Sequence, residues 1–424
     1  MTLQDNRRSV EALQLKKLRQ ALHVILPSNE FYRRKLSTDG LSEIDSLEKL
    51  QRLPFTTKSE LVDDQERHPP FGADLTFPPE KYIRIHQTSG TTGKPMYWLD
   101  TEESWDWWAE CWKTIFQAAG VRPGDRIYFA FSFGPFIGFW AGWEGARKLG
   151  AMAISGGAQS TAQRLKAIVD CQATVLVCTP TYALHMASEA RKAGIDLAQG
   201  SSVRITIHAG EPGASIPGTK RMLEESWGAK CFDHPGATEV GAFGFECESQ
   251  PGGVHINENE FIAEVIDPNS GDAVKEGEKG ELVITNLGRI GSPVIRYKTR
   301  DLVQPCYQAC PCGRPFLLFQ GGVLGRADDM IVVRGVNIFP SAIENIMREI
   351  PEIDEFRIEA VQREALLELK VTLEPAPEYA SLKGLEEKVT QRFRESIGLR
   401  PQVELVSPGT LPRFELKAKR FFKL

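Results

Sequence analysis

Between about residues 82 and 240 the chain alternates short apolar runs with amphipathic stretches. Ile127–Phe131, Thr174–Cys178 and Val203–Ala209 have strand length, while Ser160–Asp170 and Thr181–Lys192 carry helical spacing. This alternation predicts an α/β fold with a mainly parallel, doubly wound sheet. Upstream, Leu13, Leu15, Leu18 and Leu22 predict an amphipathic helix, followed by loop-like sequence punctuated by Pro69-Pro70 and Pro78-Pro79. From about 252 the style changes to short strands at Phe261–Asp267, Gly280–Thr285 and Val294–Tyr297. They predict a small antiparallel β subdomain reaching to about residue 320. Near 325 it changes again. Strand Met330–Val333, helix Ser341–Arg348, strands Phe356–Val361 and Leu366–Leu373, and helix Leu382–Ile397 predict a compact α+β domain. The expected division is a core of residues 1–327 and a small C-terminal domain of residues 328–424.

Composition narrows the class. The 424 residues suit two or three domains, and 42% hydrophobic with 25% charged residues is a globular balance. A formal net charge of −5 offers no basic footprint, so no nucleic-acid partner is expected. The charge-free, aromatic stretch Ile127 to Trp143 is shorter than the roughly 20 residues a membrane span requires, and Gly134-Pro135 interrupts it. It predicts a buried strand, a turn and a helix entering at Phe136, with no membrane association. Its aromatic side chains suit either plain core or the wall of a ligand pocket. Eight scattered cysteines without a preceding secretory pattern lead us to expect a cytoplasmic protein with reduced thiols.

The candidate chemistry begins at His86-Gln-Thr-Ser-Gly-Thr-Thr-Gly-Lys-Pro95, directly after the strand-like Tyr82–Ile85. Hydroxyls, glycines and a lysine suit a loop that wraps a phosphate. It is not a Walker A loop, because Thr88 and Pro95 stand where that pattern needs Gly and Ser/Thr. Further motifs follow in order: Gly236-Ala-Thr-Glu239, Tyr297-Lys-Thr-Arg-Asp301, Gly325-Arg-Ala-Asp-Asp-Met330, Arg334-Gly-Val-Asn-Ile-Phe-Pro340 and Leu411-Pro-Arg-Phe-Glu-Leu-Lys417. With this ordered set the chain resembles the adenylate-forming superfamily of acyl-CoA ligases and adenylation domains. Leu53-Pro-Phe-Thr-Thr-Lys58 and Pro70-Phe-Gly72 resemble its phenylacetate–CoA ligase group.

The resemblance implies a two-step reaction. A carboxylate attacks the α-phosphorus of ATP and releases pyrophosphate, and a thiol, usually that of CoA, then displaces AMP. It implies that Ser89, Thr91, Thr92 and Lys94 hold the departing pyrophosphate. Thr238 and Glu239 would serve the α-phosphate and Mg²⁺, a hard cation suited to a carboxylate. Glu211 is expected near adenine, Asp301 at the ribose hydroxyls, and Arg326 at ribose or phosphate. From the residues alone, the bland alternative for Asp301 is an ion pair with Arg296 or Arg300, a common surface arrangement worth little. Asp328 matches the hinge of a mobile C-terminal domain, and Arg334 and Gly335 lie by the thiol tunnel. Lys417 is expected to neutralise the two reacting anions. Two departures stand out: His234-Pro235 replaces the usual Tyr-Gly approach to Gly236, and Leu416 replaces the usual Gly before the lysine.

Cys310-Pro-Cys312 with Cys247 and His255 is similar to a structural Cys₃His zinc site, and Cys306 is a rival fourth ligand. Cys111, Cys171, Cys178 and Cys231 read as core thiols. The expected acyl pocket is Tyr128, Phe133, Phe136, Ile137, Ala209, Gly210, His234, Pro235, Gly236 and Ala237. None of these is Lys or Arg, which favours an aromatic or arylacetic monocarboxylic acid. Trp105, Trp107, Trp108 and Trp112 read mostly as one face of a core helix. An aryl-CoA ligase using ATP, Mg²⁺ and CoA is the main expectation, with a structural Zn²⁺ beside it. The alternatives are an enzyme that loads the phosphopantetheine arm of a carrier protein, and a silent nucleotide-binding protein. The sequence is silent on assembly, for which a homodimer is the commonest form.

Overall fold

The computed structural model describes residues 3–36, 44–88, 95–135, 137–327, 329, 331–333, 336–363, 366–376, 379, 384–414 and 418–423. Its centre is a five-stranded parallel sheet. In spatial order the strands are Met152–Ser155, Arg126–Phe129, Val175–Cys178, Ile205–His208 and Lys230–Asp233. Helices Trp140–Leu149, Thr161–Asp170, Pro180–Lys192 and Pro217–Trp227 make the crossovers. The first strand in the chain lies between the second and third, so the order reverses there. In such sheets ligands sit beyond the carboxyl ends of the strands.

The central strands are buried on both faces. Ile127, Phe129, Val175, Val177, Ile205 and Ile207 enter one core with Trp105, Trp108 and Trp112, three of the four tryptophans of helix Glu102–Ala118. Tyr128, Leu176 and Cys178 enter a second core with Tyr182 and Met186. The period of two along each strand makes this division. An all-apolar run such as Ile127–Phe131 does not announce which residue faces which side.

The expected antiparallel region consists of two four-stranded sheets. One contains Phe261–Ile266, Gly280–Asn286, Tyr297–Val303 and Gly325–Arg326; the other contains Pro305–Cys306, Leu318–Gln320, Gly253–Ile256 and Gly244–Glu246. The strand expected at Val294–Tyr297 instead begins at Tyr297. Val294 and Ile295 are buried in the connection before it, and Arg296 takes a left-handed φ of 48° that delays the ladder. The strand therefore delivers Asp301 from its interior. A hairpin, Tyr82–Gln87 with Tyr97–Thr101, brackets the candidate phosphate loop, whose residues 89–94 lie outside the described residues.

The C-terminal part has its own core. Strands Gln402–Leu405, Leu366–Pro375, Ile353–Arg363 and Phe421–Lys423 form a mixed sheet, with helices Pro340–Arg348 and Leu385–Ile397. Ile343, Ile346, Phe356, Val371, Leu373, Val389 and Phe393 pack together there. Among the described residues no helix is long and apolar enough to cross a membrane.

Candidate active site

Thr238 and Glu239 occupy a tight turn after the last parallel strand. The amides of Val240 and Gly241 both donate to the Ala237 carbonyl, at 3.1 and 2.9 Å. Gly241 has φ 131°, and a Cβ there would lie 2.9 Å from both Phe261 and Trp107, so the turn demands glycine. Arg289, fully buried, locks it. Its guanidinium pairs with both oxygens of Asp100 at 2.7 Å and donates to the carbonyls of Thr238 and Glu239. Such a fork geometry suits arginine and not lysine.

The Glu239 carboxylate is buried and faces two groups. Lys58 Nζ lies 3.0 Å from Oε1, and the Tyr297 hydroxyl donates to the same oxygen at 3.5 Å. Burial, with Glu239 as a second cause, holds the Tyr297 phenol well above its ordinary pKa, so it is a hydroxyl donor here. Lys58 opens helix Lys58–Arg67, whose N-cap Thr57 forms a capping box with Glu60. The preceding loop is tied to the Tyr297 strand. Thr56 N–H donates to the Arg296 carbonyl at 2.8 Å, Lys298 N–H donates to the Thr56 carbonyl at 2.9 Å, and Thr56 Oγ1 donates to the Ile295 carbonyl at 2.7 Å. Lys58 was not among the residues expected at the site. The Thr-x-x-Glu capping signal was readable in the sequence, but its arrival beside Glu239 depends on tertiary pairing.

Asp301 and Arg326 are paired across neighbouring antiparallel strands, with Nη1 3.7 Å from Oδ1. The alternative partners are engaged elsewhere, Arg296 with Glu264 and Arg300 near Glu281. Thus the two candidate ribose contacts stand side by side, near Tyr297 and Glu239.

Glu211 lies on the loop just past the carboxyl end of strand Ile205–His208. Its carboxylate turns inward and accepts the amides of Thr181 at 3.0 Å and Ala418 at 2.7 Å. Burial raises its pKa against these hydrogen bonds. Lys417, Asp328, Arg334, Gly335, Phe136, Ser89, Thr91, Thr92 and Lys94 lie outside the described residues.

The acyl-pocket candidates divide. Phe133 packs among Phe131, Trp140 and Trp143, with ring centroids 5.7, 4.6 and 5.8 Å away, and Ile137, Ala209 and Ala237 border the same core. His234 is buried, stands edge-on to Trp112 at 4.4 Å and bonds the Gly244 carbonyl through Nδ1 at 2.7 Å. Burial lowers its pKa to about 4, so it is neutral. Pro235, Gly236 and Gly210 lie on partly open loops beside it. Tyr128 is the correction. It belongs to the opposite core, where its hydroxyl donates to Gln159 Oε1 at 2.5 Å.

Cys247, His255, Cys310 and Cys312 bring their ligand atoms within 4.8 Å of one another. Cys247 and Cys310 sulfurs are 3.6 Å apart, and Cys312 Sγ is 3.6 Å from His255 Nε2. These spacings suit a tetrahedral ion with Zn–S near 2.3 Å. His255 Nδ1 meets the Phe316 carbonyl at 3.3 Å, which orients Nε2 toward the thiols. Burial lowers the His255 pKa to about 4, keeping it neutral as a ligand must be. Cys306 is buried but stands outside this group.

Comparison with known proteins gives the class. The AMP-binding enzyme family matches residues 16–288, and the AMP-binding enzyme C-terminal domain matches residues 335–424. A phenylacetate–coenzyme A ligase of Thermus thermophilus is 34% identical, over 96% of this chain and 95% of the relative. The crystal structure of 2-hydroxyisobutyryl-CoA ligase in the postadenylation state with 2-HIB-AMP is 30% identical. It covers 97% of this chain and 89% of that one, with a TM-score of 0.91. In its thioesterification state, with 2-HIB-AMP and CoA, the same ligase matches over the same shares at 31% identity, but with a TM-score of only 0.73. The parts of the present chain are therefore arranged as in the former. The chain belongs to the AMP-binding enzyme family of adenylate-forming enzymes. Within it the chain is an AMP-forming acid–thiol ligase of the phenylacetate–CoA ligase group.

Proposed function

We propose that the chain converts an aromatic or arylacetic acid, phenylacetate foremost, into its CoA thioester through the acyl-AMP. The observation that carries this reading is the aromatic wall around Phe133, taken with the full-length phenylacetate-ligase relative. In the first step a carboxylate oxygen forms a bond to the α-phosphorus, the α–β bridging P–O bond breaks, and pyrophosphate leaves. Ser89, Thr91, Thr92 and Lys94 would hold that pyrophosphate. Thr238 would donate to the α-phosphate, and Asp301 with Arg326 would hold the ribose. Lys417 would neutralise the approaching anions, an electrostatic contribution present only when both are in place. In the second step the CoA sulfur bonds to the acyl carbon and AMP departs, near Arg334 and Gly335. We place the division of the chain at Asp328, between residues 1–327 and 328–424.

The donor chemistry around Glu239 fits Mg²⁺: one buried carboxylate serves a hard cation that draws its other ligands from phosphates and water. When bound, that ion would screen the phosphate charge. Lys58 and Tyr297 would hold the carboxylate for it. The Cys247, His255, Cys310 and Cys312 cluster would hold a structural Zn²⁺ that ties the β region to the main body.

The test is formation of AMP, pyrophosphate and a CoA thioester across a panel of phenylacetate, benzoate, 2-hydroxyisobutyrate and straight-chain acids. Strongest turnover with an aryl or arylacetic acid is expected. Preference for 2-hydroxyisobutyrate, the acid in the name of the similar crystal structure, would overturn the substrate reading. Pyrophosphate release without a CoA thioester would point to a carrier-protein acceptor.

A further inference from the structure

Glu211 and the residues just after Lys417 form a junction between the parallel-sheet body and the C-terminal part. Glu211 lies on the loop after strand Ile205–His208. One carboxylate oxygen takes the Thr181 amide at the start of helix Pro180–Lys192. That amide belongs to the first turn, which has no intrahelical acceptor, and an acid is favoured there. The other oxygen takes the Ala418 amide at 2.7 Å. Two residues further, buried Arg420 donates to Thr181 Oγ1 at 3.2 Å. It is held for this by a two-pronged pair with Glu355, at 2.6 and 2.9 Å, and lies 3.6 Å from Glu344. One helix start is thus bound twice to the chain that directly follows Lys417.

We propose that Glu211 is a positioning residue that latches segment 418–420, and with it Lys417, in the arrangement used for adenylation, and that this latch opens for thioester formation. The inference rests on the assignment of Lys417 to the first half-reaction. The two arrangements of the similar ligase support it. The chain matches the postadenylation form at a TM-score of 0.91 and the CoA-bound form at 0.73. A bond between the body and the C-terminal part is specific to one arrangement. Both Glu211 oxygens bond backbone amides, so this contribution does not depend on which side chains stand at 418 or 181.

The experiment separates the half-reactions in the full chain. Wild type, Glu211→Gln and Glu211→Ala are compared in acid-dependent ATP–pyrophosphate exchange, and in thioester formation from presynthesised phenylacetyl-AMP and CoA. Exchange should fall roughly tenfold or more in Glu211→Ala, the order expected for losing two buried hydrogen bonds. Glu211→Gln keeps one acceptor oxygen and should lie between. Thioester formation from the adenylate should stay within about twofold of wild type or rise. Equal loss in both assays, or unchanged exchange, would overturn the latch. Absence of exchange in wild type with any acid would instead strike the proposed function. X-ray scattering of the substrate-free protein then decides the latch by itself: the Glu211→Ala curve should depart from that of wild type, and an unchanged curve overturns it. Thr181→Val, which removes only the Arg420 contact, should shift the same ratio less.

Discussion

Glu239 and Glu211 both follow strands of the same parallel sheet, both point inward, and their surroundings differ in kind. Glu239 faces an ammonium at 3.0 Å and a phenol hydroxyl at 3.5 Å. Glu211 faces two backbone amides, and burial raises its pKa. The first environment neutralises a carboxylate with groups that ligands can displace. The second spends the carboxylate on the fold itself, across a junction between two cores. A family motif names both residues with equal ease. Only the partners tell that one suits phosphate and metal and the other suits a contact made and broken.

The comparison can be sharpened from the larger effects downward. Glu239→Gln removes the charge but keeps the shape. A fall of about 10²-fold in adenylation kcat/KM is expected, the order of one lost transition-state electrostatic contact. The apparent Mg²⁺ requirement should rise, as read by initial rates against free Mg²⁺. A wild-type Mg²⁺ profile would remove Glu239 from the site. The Cys/His cluster offers a contrasting soft donor set. Cys310→Ser should leave zinc content below one ion per chain by atomic emission and lower the melting temperature by more than about 5 °C, as losing a metal crosslink implies. A zinc-free wild type with the same melting temperature would reject that site.

Lys58→Ala should lower adenylation about tenfold, some 1.4 kcal/mol of transition-state stabilisation, with Lys58→Arg recovering part of it. Unchanged kinetics in both variants would leave the Lys58–Glu239 pair a bystander. The smallest effect concerns pH. Asp233, at the end of the last parallel strand, is pushed up to about 7 by burial, with Glu246 as the next cause. An unfolded aspartate titrates near 3.9. The contribution of Asp233 is therefore fully present below about pH 4 and is lost as pH rises through about 7. Asp233→Asn should reduce the difference in melting temperature between pH 5.5 and pH 8; an unchanged difference would contradict this environment for Asp233.

Much of this architecture was legible in the chain. Short apolar runs located three of the five parallel strands, the 3.6-residue period located crossover helices Thr161–Asp170 and Pro180–Lys192, and ordered motifs singled out Thr238, Glu239, Asp301 and Arg326. Cys247 and His255 were recognisable as ligand types, and their meeting with Cys310 and Cys312 supports the choice of His255 over Cys306. What stayed hidden was pairing across long separations. Nothing local tells that Lys58 reaches Glu239, that Arg289 with Asp100 locks the Thr238 turn, or that Arg420 meets Thr181. Tyr128 was misassigned because a run apolar at every position, Ile127–Phe131, hides which residues share a face. The displaced start of strand Tyr297–Val303 has a similar cause, since buried apolar residues in a connection read like strand.

The most direct measurement is the pair of half-reactions in Lys417→Ala with phenylacetate. The account predicts that acid-dependent ATP–pyrophosphate exchange falls by about 10²-fold or more, as for other lost charge-stabilising groups. Thioester formation from phenylacetyl-AMP and CoA should persist near the wild-type rate. Exchange at the wild-type rate in this variant would contradict the account at its centre.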